Sequence, residues 1–216
     1  MRLKVLFHNR CFDGATSAAL FRRFYRNHIR KDVDFSYQGL AHQKGDAFPP
    51  GVFDADERVC VDFRYSPSPR LTWWFDHHQS AFVTKVDEAH FRADASGQKF
   101  FDPHAKSCSK FLADTLRARY GFDTAGLDDL ITWADIIDSA GFRDAHEAVA
   151  LEAPALRIMT ALENADTDAF VVGVAQKLTE LSLTELAASP EVVRIVDPVL
   201  EKHRGDFTTI QGMFLE

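Results

Sequence analysis

Apolar residues fall in short runs in the first part of the chain and in helical stripes later. Residues 3–8 (LKVLFH), 33–39 (VDFSYQG), 58–63 (RVCVDF) and 71–76 (LTWWFD) are short, rich in β-branched and aromatic residues, and read as four strands. Between the first two, residues 13–30 (DGATSAALFRRFYRNHIR) bring Ala15, Ala18, Ala19 and Phe24 together at helical spacing. A strand, a tight turn at Gly14 and a helix open a βαβ unit, so the first half is expected to form a parallel α/β sheet. Residues 44–57 and 64–70, dense in Pro, Gly and Asp or Ser, read as loops. Strand alternation sends Trp73 and Trp74 to opposite faces.

Beyond residue 100 the pattern becomes helical. Residues 104–121 carry Cys108, Phe111, Leu112 and Leu116 on one face and stop at Gly121. Residues 126–142 form a second helix with Leu127, Leu130, Ile131, Ala134 and Ile137 as its apolar face. Helical patterns continue from 145 to 204 with breaks near Asn164 and Pro190, and residues 205–216 read as a strand. The expected fold is α/β: a parallel sheet flanked by helices over 1–145, then a mainly helical segment, 146–216. That segment reads as an extension or linker, or as the start of a truncated second lobe.

The 216 residues suffice for a sizeable core, and 46% hydrophobic with 26% charged residues is a globular composition. No run approaches the roughly 18 apolar residues that span a bilayer. The opening apolar run is short and lacks a small-residue cleavage site, so no secretory leader and no membrane partner are expected. Cys11, Cys60 and Cys108 are odd in number and widely spaced, which points to a reducing, cytoplasmic setting rather than a disulfide framework. The formal charge of −7 argues against binding along a long duplex. It does not exclude an anionic substrate, because carboxylates that hold cations enter that sum as negative.

Metal-capable residues gather at the strand ends. The first strand ends in His8, followed by Cys11 and Asp13; the third ends in Asp62; the fourth ends in Asp76, His77 and His78. Each has an ordinary reading alone, as a solvated histidine or a turn aspartate. In an open parallel sheet, however, ligands bind beyond the carboxyl ends of the strands, so these residues converge on one crevice. A mixed Asp and His set suits Mn²⁺, Fe²⁺, Co²⁺ or Zn²⁺, and oxygen-rich positions admit Mg²⁺. In the second helix, Asp135 and Asp138 lie three apart, and Asp138 opposes the helix dipole in the last turn, a cost that a cation offsets. His42, His90, His104 and His146 read as surface residues.

These pieces resemble the DHH phosphoesterase superfamily. HNRCFDG (8–14) looks like its first motif, VDF (61–63) its second, DHH (76–78) its third and DSAGF (138–142) its fourth. DPHAKSCSKFL (102–112) is similar to the helix start after the third motif. The resemblance covers roughly residues 3–145. It implies a Rossmann-like domain with two metal ions, commonly Mn²⁺. His8, Asp13, Asp62, His77 and Asp138 would be ligands, with Asp62 bridging and Cys11 where many members carry an aspartate. It also implies that His78 faces the scissile phosphate and that Asp76 orients a histidine. Arg64 is a candidate phosphate clamp, because its planar fork matches two phosphate oxygens. The expected activity is hydrolysis of a phosphodiester or phosphoanhydride, in a short single-stranded oligonucleotide or a small phosphorylated molecule. The glycine-rich second domain of active members is not evident after residue 145: either the chain stops early, or substrate selection is done otherwise, for example by a homodimer partner. The alternative is a binding or scaffold module of the same fold with weak or no catalysis.

Overall fold

A computed structural model describes the chain over residues 1–42 and 47–213, and its side chains over 1–42 and 47–202. Five strands, β1 (Arg2–His8), β2 (Asp34–Leu40), β3 (Glu57–Val61), β4 (Trp73–Asp76) and β5 (Lys99–Phe101), pair in parallel in the order β2-β1-β3-β4-β5. β1 pairs with β2 over its whole length, Arg2 with Asp34 through His8 with Leu40, and β3 matches Val61 to Phe75 of β4. The order reverses between β1 and β3, and such a switch leaves an open crevice beyond the strands' carboxyl ends. His8 and Asp62 stand on its two sides.

Strand alternation divides the core. Leu3, Val5, Phe7, Val59, Val61, Trp73 and Phe75 face one cluster; Leu6, Cys60 and Trp74 face the other. The first face is covered by α1 (Phe12–Phe24) and α3 (Cys108–Tyr120), and α4 (Asp128–Asp138) packs on both. Ala155, Ile158 and Leu162 from α6 (Pro154–Glu163) and Val171 and Val174 from α7 (Asp168–Lys177) join the same cluster. The second face is covered by the connections after β2 and β3, which supply Val52, Phe63, Tyr65 and Leu71, with Phe91 of α2 (Lys85–Arg92) packed against them. Trp74 is fully buried there and donates its indole N–H to the Phe63 carbonyl at 2.8 Å.

α1 is buried along nearly its whole length, with Ala15, Ala18 and Ala19 against the sheet and Arg22 and Arg23 closing its last turn. It continues into a π-helical turn, Tyr25–Ile29, so the expected helix over 13–30 is present with a wider final turn. α3 ends at Gly121 in the left-handed region (φ 69°), where a residue without Cβ stops the helix. The remaining helices are α5 (Ala145–Ala150), α8 (Leu183–Ala187) and α9 (Pro190–Met213). The expected strand over 205–216 is not formed: α9 runs to Met213, and residues 214–216 lie outside the described residues. The β-prone run FTTI is a weak preference that the continuing helix overrides. Two elements went unread: α2, and β5, an edge strand of three residues. No helix of the described residues is long and apolar enough to cross a membrane.

Gly14 fixes how closely α1 approaches β1. A Cβ at this position would lie 2.4 Å from the His8 carbonyl oxygen and 2.9 Å from the His8 Cβ. Gly14→Ala is therefore expected to push α1 off the end of β1 and cost about 1–3 kcal/mol. Urea unfolding checks this; an unchanged midpoint would overturn the close approach.

Candidate metal centre

Each chain segment that leaves the sheet delivers one part of the centre. After β1 the backbone turns through Arg10 in the left-handed region (φ 57°), and Cys11 stands at the N-cap of α1 with Asp13 in the first turn. After β3, Asp62 also takes a left-handed conformation (φ 54°), which few side chains adopt without strain. Its amide still donates to the Phe75 carbonyl at 2.9 Å, so β3 and β4 remain tied where the carboxylate leaves the sheet. α4 ends at Asp138, followed by Ala140 at φ 51°.

Asp13 is fully enclosed and accepts two amides from the start of α3: Cys108 N–H at 2.7 Å and Ser109 N–H at 2.9 Å. One carboxylate thus caps α3 and locks it to α1, where the helix dipole favours negative charge. Burial nevertheless pushes the Asp13 carboxyl well up, and Asp62 and Asp138 add to that.

The histidines are oriented from behind. His77 donates from Nδ1 to the Ala105 carbonyl at 3.0 Å, which leaves Nε2 facing inward. Nε2 lies 3.2 Å from Asp138 Oδ2, 3.5 Å from Asp62 Oδ1 and 3.9 Å from Asp13 Oδ2. His78 donates from Nδ1 to Asp76 Oδ1 at 2.6 Å, and the same oxygen accepts the His77 amide at 2.8 Å and the His78 amide at 3.2 Å. Asp76 is completely buried and therefore fixes the whole triplet. The Asp76 bond raises His78 above the ordinary imidazole range, against the opposing effect of burial. His8 Nδ1 lies 3.5 Å from Asp62 Oδ2.

Several of these atoms are sealed from solvent and receive no hydrogen bond: His8 Nδ1, both oxygens of Asp62, Asp76 Oδ2 and His77 Nε2. Their contacts of 3.2 to 3.9 Å are charge contacts, too long or misaligned for hydrogen bonds. Such spacing fits donors that share a cation: ligands about 2.0–2.2 Å from one ion stand roughly 3.0–3.5 Å apart. Without a cation the charges answer one another. Burial works to raise Asp62, but His77 and His8 outweigh it and hold the carboxyl down at about 2. Burial likewise opposes charge on His77, yet Asp138 and Asp62 lift it to about 11.

The donor atoms form two poles. Asp13, His77 and Asp138 lie within 4.8 Å of one another, as do His8, Cys11 and Asp62; Asp62 also reaches His77 and His78. All six residues that the sequence marks as ligands are thus brought together. The Cys11 thiol is pushed well up by burial first, then by Asp62 and Asp13, so it stays protonated while no cation is bound. Arg64 stands further out: its Nη2 donates to His42 Nδ1 at 3.1 Å, and its guanidinium lies 5.7 Å from the centre of the Phe63 ring.

His42 was read as a surface residue. It is exposed, yet its ring packs edge-on to His8 at 4.8 Å, stacks on Phe63 at 4.6 Å and forms a metal-capable group with His8 and His78. Its signal was available: it follows the end of β2 by two residues, so the strand-end rule that selects His8 and Asp62 selects it too. Asp135 turns away from the centre and accepts Ser107 Oγ–H at 3.0 Å. His90 faces Tyr65, with Nδ1 at 2.8 Å from the phenol oxygen.

No protein-family model matches the chain, and no curated protein sequence matches it. Among solved structures, a pGpG-specific phosphodiesterase, PggH from Vibrio cholerae, is similar with a TM-score of 0.56 and 17% sequence identity. The match covers 91% of this chain and 58% of that one, so this chain spans less than two thirds of the neighbour's length. At this identity the likeness is one of fold: a parallel α/β sheet with helices continuing beyond it.

Proposed function

We propose that the chain is a divalent-cation-dependent phosphoesterase of DHH type, hydrolysing a phosphodiester or phosphoanhydride in a short oligonucleotide or small nucleotide. One observation carries the reading. Buried donors of Asp62, His77 and His8 converge on the β1/β3 switch point and none has a hydrogen-bond partner. Burying such groups costs about 1–3 kcal/mol each, more when charged, unless something binds them. The phosphodiesterase activity printed for the structural neighbour supports the same class of substrate.

In this reading Asp13, His77 and Asp138 at one pole, and His8 and Cys11 at the other, would hold the cations, with Asp62 beside both. A bound pair of Mn²⁺ ions, or of Co²⁺, Fe²⁺, Zn²⁺ or Mg²⁺, would acidify a water and offset phosphate charge. The remaining work belongs to the chain. Ala105 keeps the His77 proton on Nδ1 and so keeps Nε2 free as a ligand. Asp76 holds His78 by Nδ1, so His78 presents Nε2–H to the phosphoryl group or the leaving oxygen. Arg64 reaches a phosphate from the His42 side. The fully buried β4 excludes water behind the centre and keeps the triplet rigid.

Cation binding must displace the His77 proton, so affinity rises with pH. In chain stripped of metal, saturating Mn²⁺ is expected to raise Tm by about 5–10 °C near neutral pH. The shift should shrink in mildly acidic buffer and vanish in Asp62→Asn. Scanning calorimetry and metal analysis check this; less than one ion per chain after Mn²⁺ loading counts against the centre.

With Mn²⁺, the chain is expected to hydrolyse bis(4-nitrophenyl) phosphate and a short RNA. The His77→Ala, His78→Ala double variant should be slower by about 10²-fold or more. Equal rates, or no turnover by either protein, would sink the enzyme reading.

Asp76→Asn should keep bound metal and KM near those of the parent while kcat falls about 10–100-fold, because an amide oxygen can still accept the His77 and His78 amides while the charge that holds the His78 imidazole is lost. Loss of metal instead would assign Asp76 to holding His77.

A further inference from the structure

Next to the metal-capable crevice lies a separate cavity of about 580 Å³, between the segment after residue 46, the segment after Phe63 and the approach to α2. Its size is that of a small-molecule site. The crevice and the cavity share Arg64. Its Nη2 is tied to His42, which packs on His8, while its Nε is sealed from solvent and has no partner. A phosphate at the crevice and a group in the cavity would therefore meet the same guanidinium.

The cavity wall combines ring faces with uncommitted donors. Phe48 and Phe53 stack on each other at 5.5 Å with their planes 24° apart, and both line it. Ser66, 6% exposed, accepts the Ser68 amide at 3.3 Å, and Ser68 Oγ accepts the Arg70 amide at 3.3 Å. In both hydroxyls the acceptor side is engaged and the proton remains available. Of the nearby carboxylates, Asp54 pairs with Arg70 at 3.0 Å, while Asp87 keeps its charge and accepts from Thr84 in a capping box. Arg64 is the cation there without a carboxylate partner, and the formal charges of Arg64, Arg70, Asp54 and Asp87 balance. Val83 stands at the rim, 63% exposed, and adds apolar surface to the cavity mouth.

We propose that this cavity is a nucleoside pocket, which takes the nucleoside attached to the phosphate held at the crevice and so selects short nucleotides over other phosphoesters. Aromatic walls receive the face of any base, hydroxyl protons meet acceptors on its edge or on the ribose, and Arg64 meets its phosphate. A purely aliphatic ligand would leave the serine hydroxyls and Arg64 Nε unmet, and inorganic phosphate would leave the aromatic wall unused. The identity of the phosphate rests on the phosphoesterase reading; the pocket itself does not.

Calorimetric titration of the full chain with each of the four nucleoside 5′-monophosphates and with inorganic phosphate tests this. At least one nucleotide should bind ten-fold or more tightly than phosphate. Val83→Trp, at an exposed position that leaves the core untouched, should weaken that nucleotide by about ten-fold and leave phosphate unchanged, while Val83→Ser keeps both. In turnover, Val83→Trp should raise KM for the 4-nitrophenyl ester of the same nucleotide and spare bis(4-nitrophenyl) phosphate. Nucleotides that bind no better than phosphate, or a Val83→Trp effect equal on both ligands or absent from both, would overturn the pocket. Nucleotide binding that Val83→Trp weakens, in a chain that cleaves neither ester, would support the pocket and refute the phosphoesterase reading.

Discussion

Asp62 is fully buried at the end of β3, its backbone is left-handed, and neither of its oxygens receives a hydrogen bond. An ionised carboxylate in that position carries a desolvation penalty of several kcal/mol, which geometry nearby must offset. His77 and His8 do so as charge contacts at 3.5 Å, and each is held in place by a different strand. The crevice is therefore a constraint on the sheet as much as a product of it. β1, β3 and β4 must end at matched heights, and the Val61–Phe75 pairing that sets β3 against β4 brings Asp62 level with the start of the triplet.

A second carboxylate ties this arrangement to the helical layer. Asp13 spends both oxygens on the first amides of α3, so α3 cannot move without disturbing α1 and the end of β1. Ser109 strengthens the joint by donating Oγ–H to the Asp13 carbonyl at 3.1 Å and lying 3.1 Å from Ser17 Oγ. Through Ser107 the start of α3 also reaches Asp135, one turn before Asp138 on α4. Rigidity runs from the buried strands through Asp13 to the last turn of α4. Under the proposed reading this is the support that a rigid centre needs.

The parts of this fold that could be read from the sequence are those whose periodicity reports burial directly. β1, β3, β4, α1 and α3 each show a dense apolar run or a one-faced stripe, and each is buried as that pattern demands. α2 buries none of its residues, so it has no stripe to read; its only local mark is the Thr84–Asp87 capping box. β5 is three residues long, below the length at which alternation can be recognised. The proximity of His8, Cys11, Asp13, Asp62, His77, His78 and Asp138 followed from the strand-end rule and the motif resemblance. His42, two residues past β2, obeys the same strand-end rule, but the stacking of its ring on Phe63 depends on tertiary packing that the sequence does not display. Arg64 was marked for its chemistry, but its neighbours were not legible: nothing in the local sequence brings residue 42 beside residue 64.

Under the proposed reading, a cysteine at position 11 need not abolish the centre. A carboxylate at the start of α1 would join Asp13, Asp62 and Asp138 as a fourth, and Asp13 is already pushed up, by burial first and then by Asp62 and Asp138. A thiol avoids that load, because burial and those same carboxylates keep it neutral while no cation is bound. The metal-free fold is thereby relieved of one buried charge. In exchange, Cys11 becomes a ligand only for a cation able to displace its proton, and thiolate favours Zn²⁺, Fe²⁺ and Co²⁺ over Mg²⁺. The opposite pole, Asp13 and Asp138 with one imidazole, carries no sulfur and suits harder ions. Under the proposed reading the two poles therefore differ in metal preference. Cys11 sets that difference, and Asp62 borders both poles.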